Sequence, residues 1–381
     1  MTSHLCYLSS FMLLIALLSS CDSKTNQPVS TTKEVRAVVV PKPTIEIKLN
    51  HDVNNYARLI AGLDTVRFKN NETYLKFRSA SNIAFEEFRA NKLAPIENWR
   101  NNELSDSIYN SSAVLYPFSG PDIIYAYTVF PRAQEYNLFG LEPIGQIPNW
   151  TDNNQDSLIK ELFGIQSALS DQMKLSFFIT KRMATSMNKQ DIDGVLPVLL
   201  FYMARLDLFI QNVHPIMLND KGLITPCSQQ NAVGLQIEFL HPSENVIRRL
   251  NYFSLDISNK GYDNNASLGK FMQSFKSTST LIKSASYCLH EDKYSLIRKN
   301  LLDVSRTIVQ DDTGIPYSFF KNISWSNRLF GEYTRPIAVF KQFYQADYSE
   351  QFKIAATPIN FRFGYSDPSS ILVARRNTTV Q

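Results

Sequence analysis

The sequence has little cysteine, no concentrated charge and no apolar run long enough to cross a membrane. Four of its 381 residues are Cys, too few for a scaffold held together by disulfides. No block of five like charges occurs and the formal net charge is +4. The chain therefore lacks the dense basic face that binds phosphates, and we predict no nucleic-acid partner. The apolar stretch 195–210 is interrupted by Pro197, Arg205 and Asp207, which predicts a buried helix instead of a membrane span.

The short motifs that identify common enzyme classes are also missing. The chain contains no G-x-G-x-x-G, no G-x-x-x-x-G-K, no G-x-S-x-G, no H-E-x-x-H and no C-x-x-C. No two of His51, His214, His241 and His290 are spaced as a metal pair on one helix. We therefore predict no metal site and no cofactor, and the sequence leaves open whether the protein is an enzyme.

The residues that are present predict a globular α+β fold. Hydrophobic residues make up 44% of the chain and charged residues 19%, which is typical of a packed globular protein. Apolar residues recur every three or four positions in 54–63 and 82–93, whereas 234–240 and 246–257 alternate around a turn as a hairpin. Because no regular βαβ rhythm appears, this mixture favours a mixed sheet with flanking helices over a doubly wound fold.

We predict one globular domain over 51–381, which could divide into two lobes near 188–194. The polar turn residues NKQDIDG lie there between two apolar helical stretches, and the domain is long enough for its core to divide. Further along, an apolar stripe over 293–309 predicts one helix that ends at the turn DDTGIP. The segment PINFRFGYS, at 358–366, predicts a strand.

The N-terminus predicts export and a lipid anchor. The apolar core at 11–18 is too short to span a bilayer but fits a secretion signal. The quartet LSSC at 18–21 resembles the lipobox of bacterial lipoproteins, which implies removal of residues 1–20, a lipid on Cys21 and attachment to a membrane of the cell envelope. An ordinary signal peptide is the alternative, since no Lys or Arg precedes the apolar core. Residues 21–50 are rich in Ser, Thr, Lys and Pro and predict a flexible tether.

Two cysteines remain in the predicted domain after export. Cys227 and Cys288 could form a disulfide in an oxidising envelope compartment. Two separate buried thiols fit the sequence equally well. The sequence alone does not distinguish these alternatives.

The stretch YPFSGPD, at 116–122, is the first candidate site. Ser119 or Asp122 is predicted to cap a helix that begins near Pro121. Such a helix start presents backbone amides to an anion or polar ligand, which makes Ser119, Gly120 and Asp122 candidate binding residues. The alternative is a strand-to-helix corner that binds nothing.

The stretch KSASYCLH, at 283–290, is the second candidate site. Lys283 and His290 are candidate bases, and Ser284, Ser286 and Tyr287 place several hydroxyls within two helical turns of them. The alternative is a Ser-rich start of a helix beside a core tyrosine, because Ser and Lys are also common on solvated surfaces.

The chain resembles a family of uncharacterised bacterial exported proteins. The segments YPFSGPDIIYA, FGLEPIGQIP, LIKSASYCLH, VQDDTGIPYSFF and FRFGYS carry the resemblance, which covers most of 100–370. It implies a shared fold and an envelope setting but supplies no activity. The polar residues that we expect to share a cleft are the candidate catalytic residues Asp122, Glu142, Lys283 and His290 and the candidate ligand contacts Asp311 and Asp312.

Two functions remain open at this point. The anchor, the tether and the lack of catalytic motifs favour an envelope protein without catalytic activity, which binds a small ligand or another envelope component or helps to maintain the envelope. The alternative is an envelope hydrolase or transferase with a polar cleft between the YPFSGPD corner and the KSASYCLH segment. A single pocket lined by Asp122, Glu142, Lys283 and His290 would support the enzyme. Separation of these residues by more than about 15 Å would argue against it.

Overall fold

One mixed sheet organises the part of the chain whose structure is known. The computed structural model describes residues 49–66, 68–104, 111–147, 155–177 and 193–377. Within these ranges, eleven strands form a single sheet with helices against it. The predicted α+β fold with a mixed sheet is therefore confirmed.

Helices dominate the first part of the described chain, and strands become frequent after residue 113. The helices are α1 His51–Ile60, α2 Glu72–Phe88, α3 Ala94–Glu103, α4 Ile123–Val129, α5 Gln155–Leu175, α6 Leu196–Arg205, α7 Asn259–Asn264, α8 Ala266–Ser274, α9 Ser295–Val304 and α10 Ala346–Ala355. The strands are β1 Ala113–Tyr116, β2 Glu135–Gly140, β3 Phe209–Leu218, β4 Ile224–Pro226, β5 Gly234–Leu240, β6 Arg248–Ser254, β7 Thr278–Ile282, β8 Ser305–Gln310, β9 Trp325–Gly331, β10 Ala356–Thr357 and β11 Ser370–Arg376.

The centre of the sheet is parallel, and the chain winds outward from it in both directions. The strand order is β10-β9-β11-β8-β7-β1-β2-β6-β5-β3-β4, and the block β8-β7-β1-β2-β6 is parallel throughout. β1 leads through α4 to β2 on one side, whereas β7 leads through α9 to β8 on the other. The neighbours β1 and β7 therefore form a topological switch point, where a crevice is expected beyond the carboxyl ends of the strands.

Apolar layers cover both faces of the parallel block. Val114 and Tyr116 of β1 pack in one core with α4 and α6, whereas Leu115 packs in a second core with α8 and α9. This division follows from the alternation of side chains along a strand. All ten residues of α6 are buried, as predicted for 195–210, although the helix ends at Arg205 and β3 begins at Phe209.

The predictions for the N-terminal region and for the lobe boundary fall mostly outside the described residues. The signal at 1–20, Cys21 and all but the last two residues of the tether lie outside the described residues, as does most of 188–194. Ile47–Gln381 forms one compact unit. Among the described residues, no helix is long and apolar enough to cross a membrane.

The predicted helix over 293–309 is wrong after residue 304. α9 ends at Val304, and the next six residues form β8, which pairs with β7 and β11. Thr307, Ile308 and Val309 are β-branched and buried, so pairing with two neighbouring strands outweighs the local helical pattern. The turn DDTGIP therefore follows a strand, which brings it to the carboxyl edge of the sheet.

The predicted strand over 358–366 is not formed, since these residues have irregular structure. Phe361 and Phe363 are buried in the core, where their rings lie 5.9 Å from Trp99 and 6.3 Å from Tyr125. The alternating apolar residues of this segment pack a loop against the core, and the segment does not pair with a strand.

Candidate functional site

A cavity of about 260 Å³ opens at the carboxyl ends of the central parallel strands. It lies at the switch point between β1 and β7, and residues that follow β2 and β6 complete its wall. The two candidate segments therefore face the same space. We call this space the carboxyl-edge cavity; it is lined by residues of 116–122, 139–142, 255–257 and 283–288, together with Phe177, Tyr294 and Tyr365.

Asp122 and Lys283 form a buried ion pair in the wall of this cavity. Lys283 Nζ lies 3.2 Å from Asp122 Oδ2, and the two residues are only 2% and 3% exposed, respectively. Asp122 also accepts hydrogen bonds from the Tyr116 hydroxyl, at 2.7 Å, and from the side-chain amide of Gln172. The pair thus joins the corner after β1 to the end of β7.

The surroundings of this pair act on the pKa of Asp122 in opposite directions. Burial raises the pKa of the carboxyl above its ordinary value, whereas Lys283 and the hydroxyl of Tyr116 lower it by favouring the carboxylate. Lys283 also donates to the backbone carbonyl of Ser176, and its Nζ lies 4.0 Å from the ring centroid of Tyr125. These contacts hold the pair in one position.

The corner itself does not cap α4 as predicted. Ser119 Oγ donates to the carbonyl of Gly120 at 2.9 Å and accepts from the amide of Phe139 at 3.2 Å. Asp122 occupies the N-cap position, but its side chain makes no capping hydrogen bond. The nearby amide of Tyr125 only lowers the pKa of the carboxyl, and the charged partner of the carboxylate is Lys283. Because α4 has only seven residues and meets a carboxylate at its start, the helix end does not offer the predicted anion site.

Glu142 brings a second carboxylate to the carboxyl-edge cavity. The Tyr252 hydroxyl donates to the carbonyl of Glu142 at 2.9 Å and to its Oε2 at 3.2 Å, and the amide of Leu141 donates to the same Oε2 at 3.2 Å. Gly140 makes room for this arrangement, because a Cβ there would lie 2.4 Å from Glu142 Oε2 and 2.6 Å from the Tyr252 hydroxyl. A side chain at position 140 would therefore displace the carboxylate.

The loop at 283–287 combines backbone strain with an unpaired hydroxyl. Ser284, Ser286 and Tyr287 have φ values of 55°, 51° and 56°, a left-handed conformation that costs a non-glycine residue about 1 kcal/mol or more. Ser284 lines the cavity, but its Oγ has almost no accessible surface and has no hydrogen-bond partner among the described residues. Strain and unpaired buried polar groups both concentrate at functional sites, so Ser284 is a candidate ligand contact.

Asp311 and Asp312 lie behind this loop and do not line the cavity. Asp311 accepts hydrogen bonds from the amides of Ser284, at 2.8 Å, and Thr313, at 3.0 Å, and Asp312 accepts from the hydroxyl of Tyr287. Burial raises the pKa of both carboxyls, and the charge of Asp312 adds to the increase for Asp311. The structure thus gives the two residues a supporting role in place of the predicted ligand contact, because their oxygens already hold the strained loop.

His290 lies outside the cavity wall, contrary to the expectation that it joins Asp122, Glu142 and Lys283 there. Its ring packs against Tyr287 and Phe343, with centroids 5.1 and 5.4 Å away. The short 3-10 turn Cys288–His290 carries the chain away from the cavity, so Cys288 lines the wall and His290 does not. Three of the four candidate catalytic residues therefore share the cavity.

His290 is expected to make the protein less stable in acid. Burial and the nearby Arg298 lower its pKa from 6.5 to about 4. As the pH falls from about 6.5 to about 4, the unfolded chain binds the proton first, so stability is lost across this window. A His290→Gln variant should lose less stability than the native protein over the same range in urea unfolding experiments. Parallel pH profiles for the two proteins would contradict a neutral buried imidazole.

The two cysteines of the domain are free, so the disulfide alternative is not formed. Cys227 follows β4 at one edge of the sheet, whereas Cys288 follows β7, and five strands lie between β4 and β7. Six strand spacings of about 4.8 Å each far exceed the Cα separation of about 7 Å that a disulfide allows. Burial also raises the pKa of the Cys288 thiol, which keeps it protonated.

Gln172 and Phe177 belong to the site but did not stand out in the sequence. Gln172 is fully buried on α5 and donates to Asp122, and Phe177 lines the cavity just after the same helix. Gln172 lies three positions after the buried Leu169, on the same face of the helix. This spacing is the one sequence signal that could have identified it as an inward-facing polar residue.

Neither a metal centre nor a known relative identifies the site. Among the described residues, no three His, Cys, Asp or Glu side chains converge as metal ligands. Comparison of the chain with protein-family models, curated proteins and solved structures finds no match.

Proposed function

We propose that the protein is lipid-anchored in the bacterial cell envelope and binds a small polar molecule in the carboxyl-edge cavity. The observation that carries this proposal is that 116–122 and 283–288, the two segments richest in candidate chemistry, line one cavity. Ligands of open parallel sheets bind in this position, beyond the carboxyl ends of strands at a switch point. The cavity of about 260 Å³ lies below the usual range for drug-sized ligands of about 300–1,000 Å³, which favours a small ligand.

The charge of the cavity wall favours a neutral or donor-rich ligand over an anion. The wall contains the carboxyl groups of Asp122, Glu142 and Asp256 and the ammonium group of Lys283. The excess of acidic groups repels an anion. Of the two ligands predicted for the corner at 116–122, an anion or a polar molecule, the proposal therefore keeps only the polar molecule.

Gly140→Ala is expected to weaken ligand binding. The new Cβ would lie 2.4 Å from Glu142 Oε2 and 3.0 Å from the Cα of Gly120, so it would displace the carboxylate and narrow the cavity. Fragment-sized polar molecules that bind the native protein in ligand-observed NMR should bind the variant at least about tenfold more weakly, a loss of about 1.4 kcal/mol. Gly269→Ala is the matched control, because its Cβ would meet only Tyr262 ring atoms at 3.6 and 3.8 Å, away from the cavity.

Equal binding by the native protein and the Gly140→Ala variant would place the ligand elsewhere and contradict the proposal.

The anchor is tested separately by intact-mass analysis of the mature protein. The expected product lacks residues 1–20 and carries acyl groups on Cys21. An unmodified product with another N-terminus would refute the anchor.

Ser284 favours a second candidate function, an envelope hydrolase or transferase. Ser284 lines the cavity on strained backbone two residues after β7, and its hydroxyl has no partner among the described residues. The hydroxyl oxygen has almost no accessible surface, so the side chain would have to turn toward the cavity to react. A serine on a strained turn at the end of a central strand is how several hydrolases present their nucleophile. In such a reaction Ser284 Oγ would bond to a carbonyl carbon, and its proton would pass through a cavity carboxylate such as Glu142 to the departing alcohol or amine.

A serine-directed fluorophosphonate probe distinguishes the enzyme from the binding protein. Labelling of the native protein on Ser284, lost in Ser284→Ala and kept in Ser286→Ala, would support the enzyme. Ser286 is a suitable control because its hydroxyl also lines the cavity but is bonded to the Tyr365 hydroxyl at 2.9 Å. An unlabelled protein that still binds ligand would exclude a serine nucleophile.

A further inference from the structure

We infer that the ligand of the carboxyl-edge cavity is a neutral carbohydrate, held as a single sugar ring. This inference rests on the proposed binding function and adds the chemical class of the ligand. It follows from the size of the cavity, from two aromatic pairs in its wall and from the polar atoms between them.

The first observation is that aromatic rings line the cavity in two pairs. The ring of Phe118 meets that of Tyr294 at 5.3 Å and 89°, and the ring of Phe177 meets that of Tyr365 at 4.6 Å and 89°. All four residues line the cavity and are half-buried. Each pair fixes its rings edge to face, so the rings are rigid apolar surfaces. The C–H face of a sugar ring packs on such a surface, whereas its hydroxyls need polar partners at the ring edge.

The second observation is that polar side chains accompany these rings. The carboxylate of Glu142 is a hydrogen-bond acceptor for sugar hydroxyls. Ser284 Oγ, which has no partner among the described residues, can both donate and accept. A sugar hydroxyl has the same two capacities, so it can satisfy this serine once the side chain, whose oxygen has almost no accessible surface, turns toward the cavity.

Charge separates a sugar from a small anion, because an anion is repelled by the acidic groups of the wall. A cation is not repelled, since the ammonium group of Lys283 is already paired with Asp122 and the carboxyl groups of Glu142 and Asp256 remain. A cation is therefore the competing class of ligand, and the test includes choline to distinguish it from a sugar. The volume of about 260 Å³ suits one ring better than an extended chain.

The test uses the full chain and saturation-transfer NMR with glucose, galactose, mannose and N-acetylglucosamine, alongside choline and inorganic phosphate. At least one sugar is expected to bind, and choline and phosphate are not. Phe118→Leu should weaken sugar binding about threefold to tenfold, the effect of losing one aromatic contact. Phe319→Leu is the matched control, because Phe319 is partly exposed and does not line the cavity. Ser284→Ala should also weaken binding, and it tests the site independently if Phe118→Leu folds poorly.

Each outcome bears on a different claim. Binding of choline or phosphate with the same dependence on Phe118 would overturn the sugar class but leave the cavity as the binding site. Sugar binding that is unchanged in both Phe118→Leu and Ser284→Ala would overturn the inference, because the sugar would lie elsewhere. If no molecule binds here and none binds in the fragment screen, the proposed function falls as well.

Discussion

Replacing Lys283 with Met is expected to lower the free energy of unfolding by about 3–5 kcal/mol, the range for a buried ion pair that loses one partner. Met preserves most of the length and volume of the side chain. The loss therefore comes from the Asp122 carboxylate, which is 3% exposed and would keep only the Tyr116 hydroxyl and the Gln172 amide as side-chain partners. Urea unfolding of the two proteins measures the difference.

Lys299→Met is the matched control for this variant. Lys299 forms an ion pair with Asp303 one helical turn away, but the two side chains are 74% and 55% exposed. Such a surface pair contributes only about 0.3–0.5 kcal/mol. Adding Asp122→Asn to Lys283→Met should restore part of the lost stability, because it removes the unpaired charge. Equal small losses for Lys283→Met and Lys299→Met would show that the buried pair does not support the fold.

The defect of Lys283→Met should also diminish in acid. Lys283 lowers the pKa of Asp122 against the larger effect of burial, so its removal raises that pKa further. A carboxyl whose folded pKa lies above its unfolded value favours the folded state at low pH, and this contribution is lost as the pH rises through the folded pKa. The stability difference from the native protein is therefore expected to be smaller at about pH 5 than at about pH 8. A difference that is independent of pH would contradict an ionised, unpaired Asp122 in the variant.

Gly364→Ala is expected to destabilise the protein by about 3 kcal/mol, at the upper end of the effect of overpacking. An added Cβ would lie 1.9 Å from Asp311 Oδ2 and 2.8 Å from its Cγ. Asp311 is fully enclosed and accepts hydrogen bonds from the amide of Ser284 and from Thr313. A single methyl group would therefore push aside the carboxylate that holds the strained loop, and ligand binding should weaken together with stability.

Gly269→Ala provides the comparison for the same chemical change. Gly269 lies within α8, and its added Cβ would make ordinary contacts with Tyr262 at 3.6 and 3.8 Å. Alanine restricts the unfolded chain and favours the helix, so this variant should be more stable than the native protein by about 0.5–1 kcal/mol. Thermal unfolding would detect the opposite signs of the two substitutions. An unchanged free energy of unfolding in Gly364→Ala would mean that the Asp311 carboxylate can move aside without loss of stability.

The local order of elements around the first candidate segment could be predicted from the sequence. The Gly and Pro residues of the corner at 116–122 predicted a helix that begins near Pro121, which is α4, and the alternation on either side of HPSEN predicted the hairpin of β5 and β6, which is observed. The assignment of 305–310 to a helix was wrong because β8 forms only through its pairing with β7 and β11. That pairing depends on residues distant in the chain, which a local pattern does not contain.

The candidate site was predictable in its residue types and not in its geometry. Asp122, Glu142 and Lys283 were predicted to share a cleft, and the structure brings all three to one cavity. His290 also stood out, but a turn of three residues directs it to Tyr287 and Phe343. The backbone of Ser284 is in the left-handed region, and its amide donates to Asp311. No sequence rule would place a positive φ at a serine.

The pairing of β1 with β7 also has a consequence for the order of events during synthesis. The amide of Ser279 in β7 bonds to the hydroxyl of Ser111 just before β1, across 168 residues of sequence. Contacts this distant close late, because a long loop must be ordered before they form. During synthesis from the N-terminus, the corner at 116–122 is therefore made long before Lys283. Asp122 lacks its counter-ion until most of the domain has been synthesised. A ligand in the carboxyl-edge cavity, as proposed, would contact early and late segments and so stabilise the finished protein against reopening.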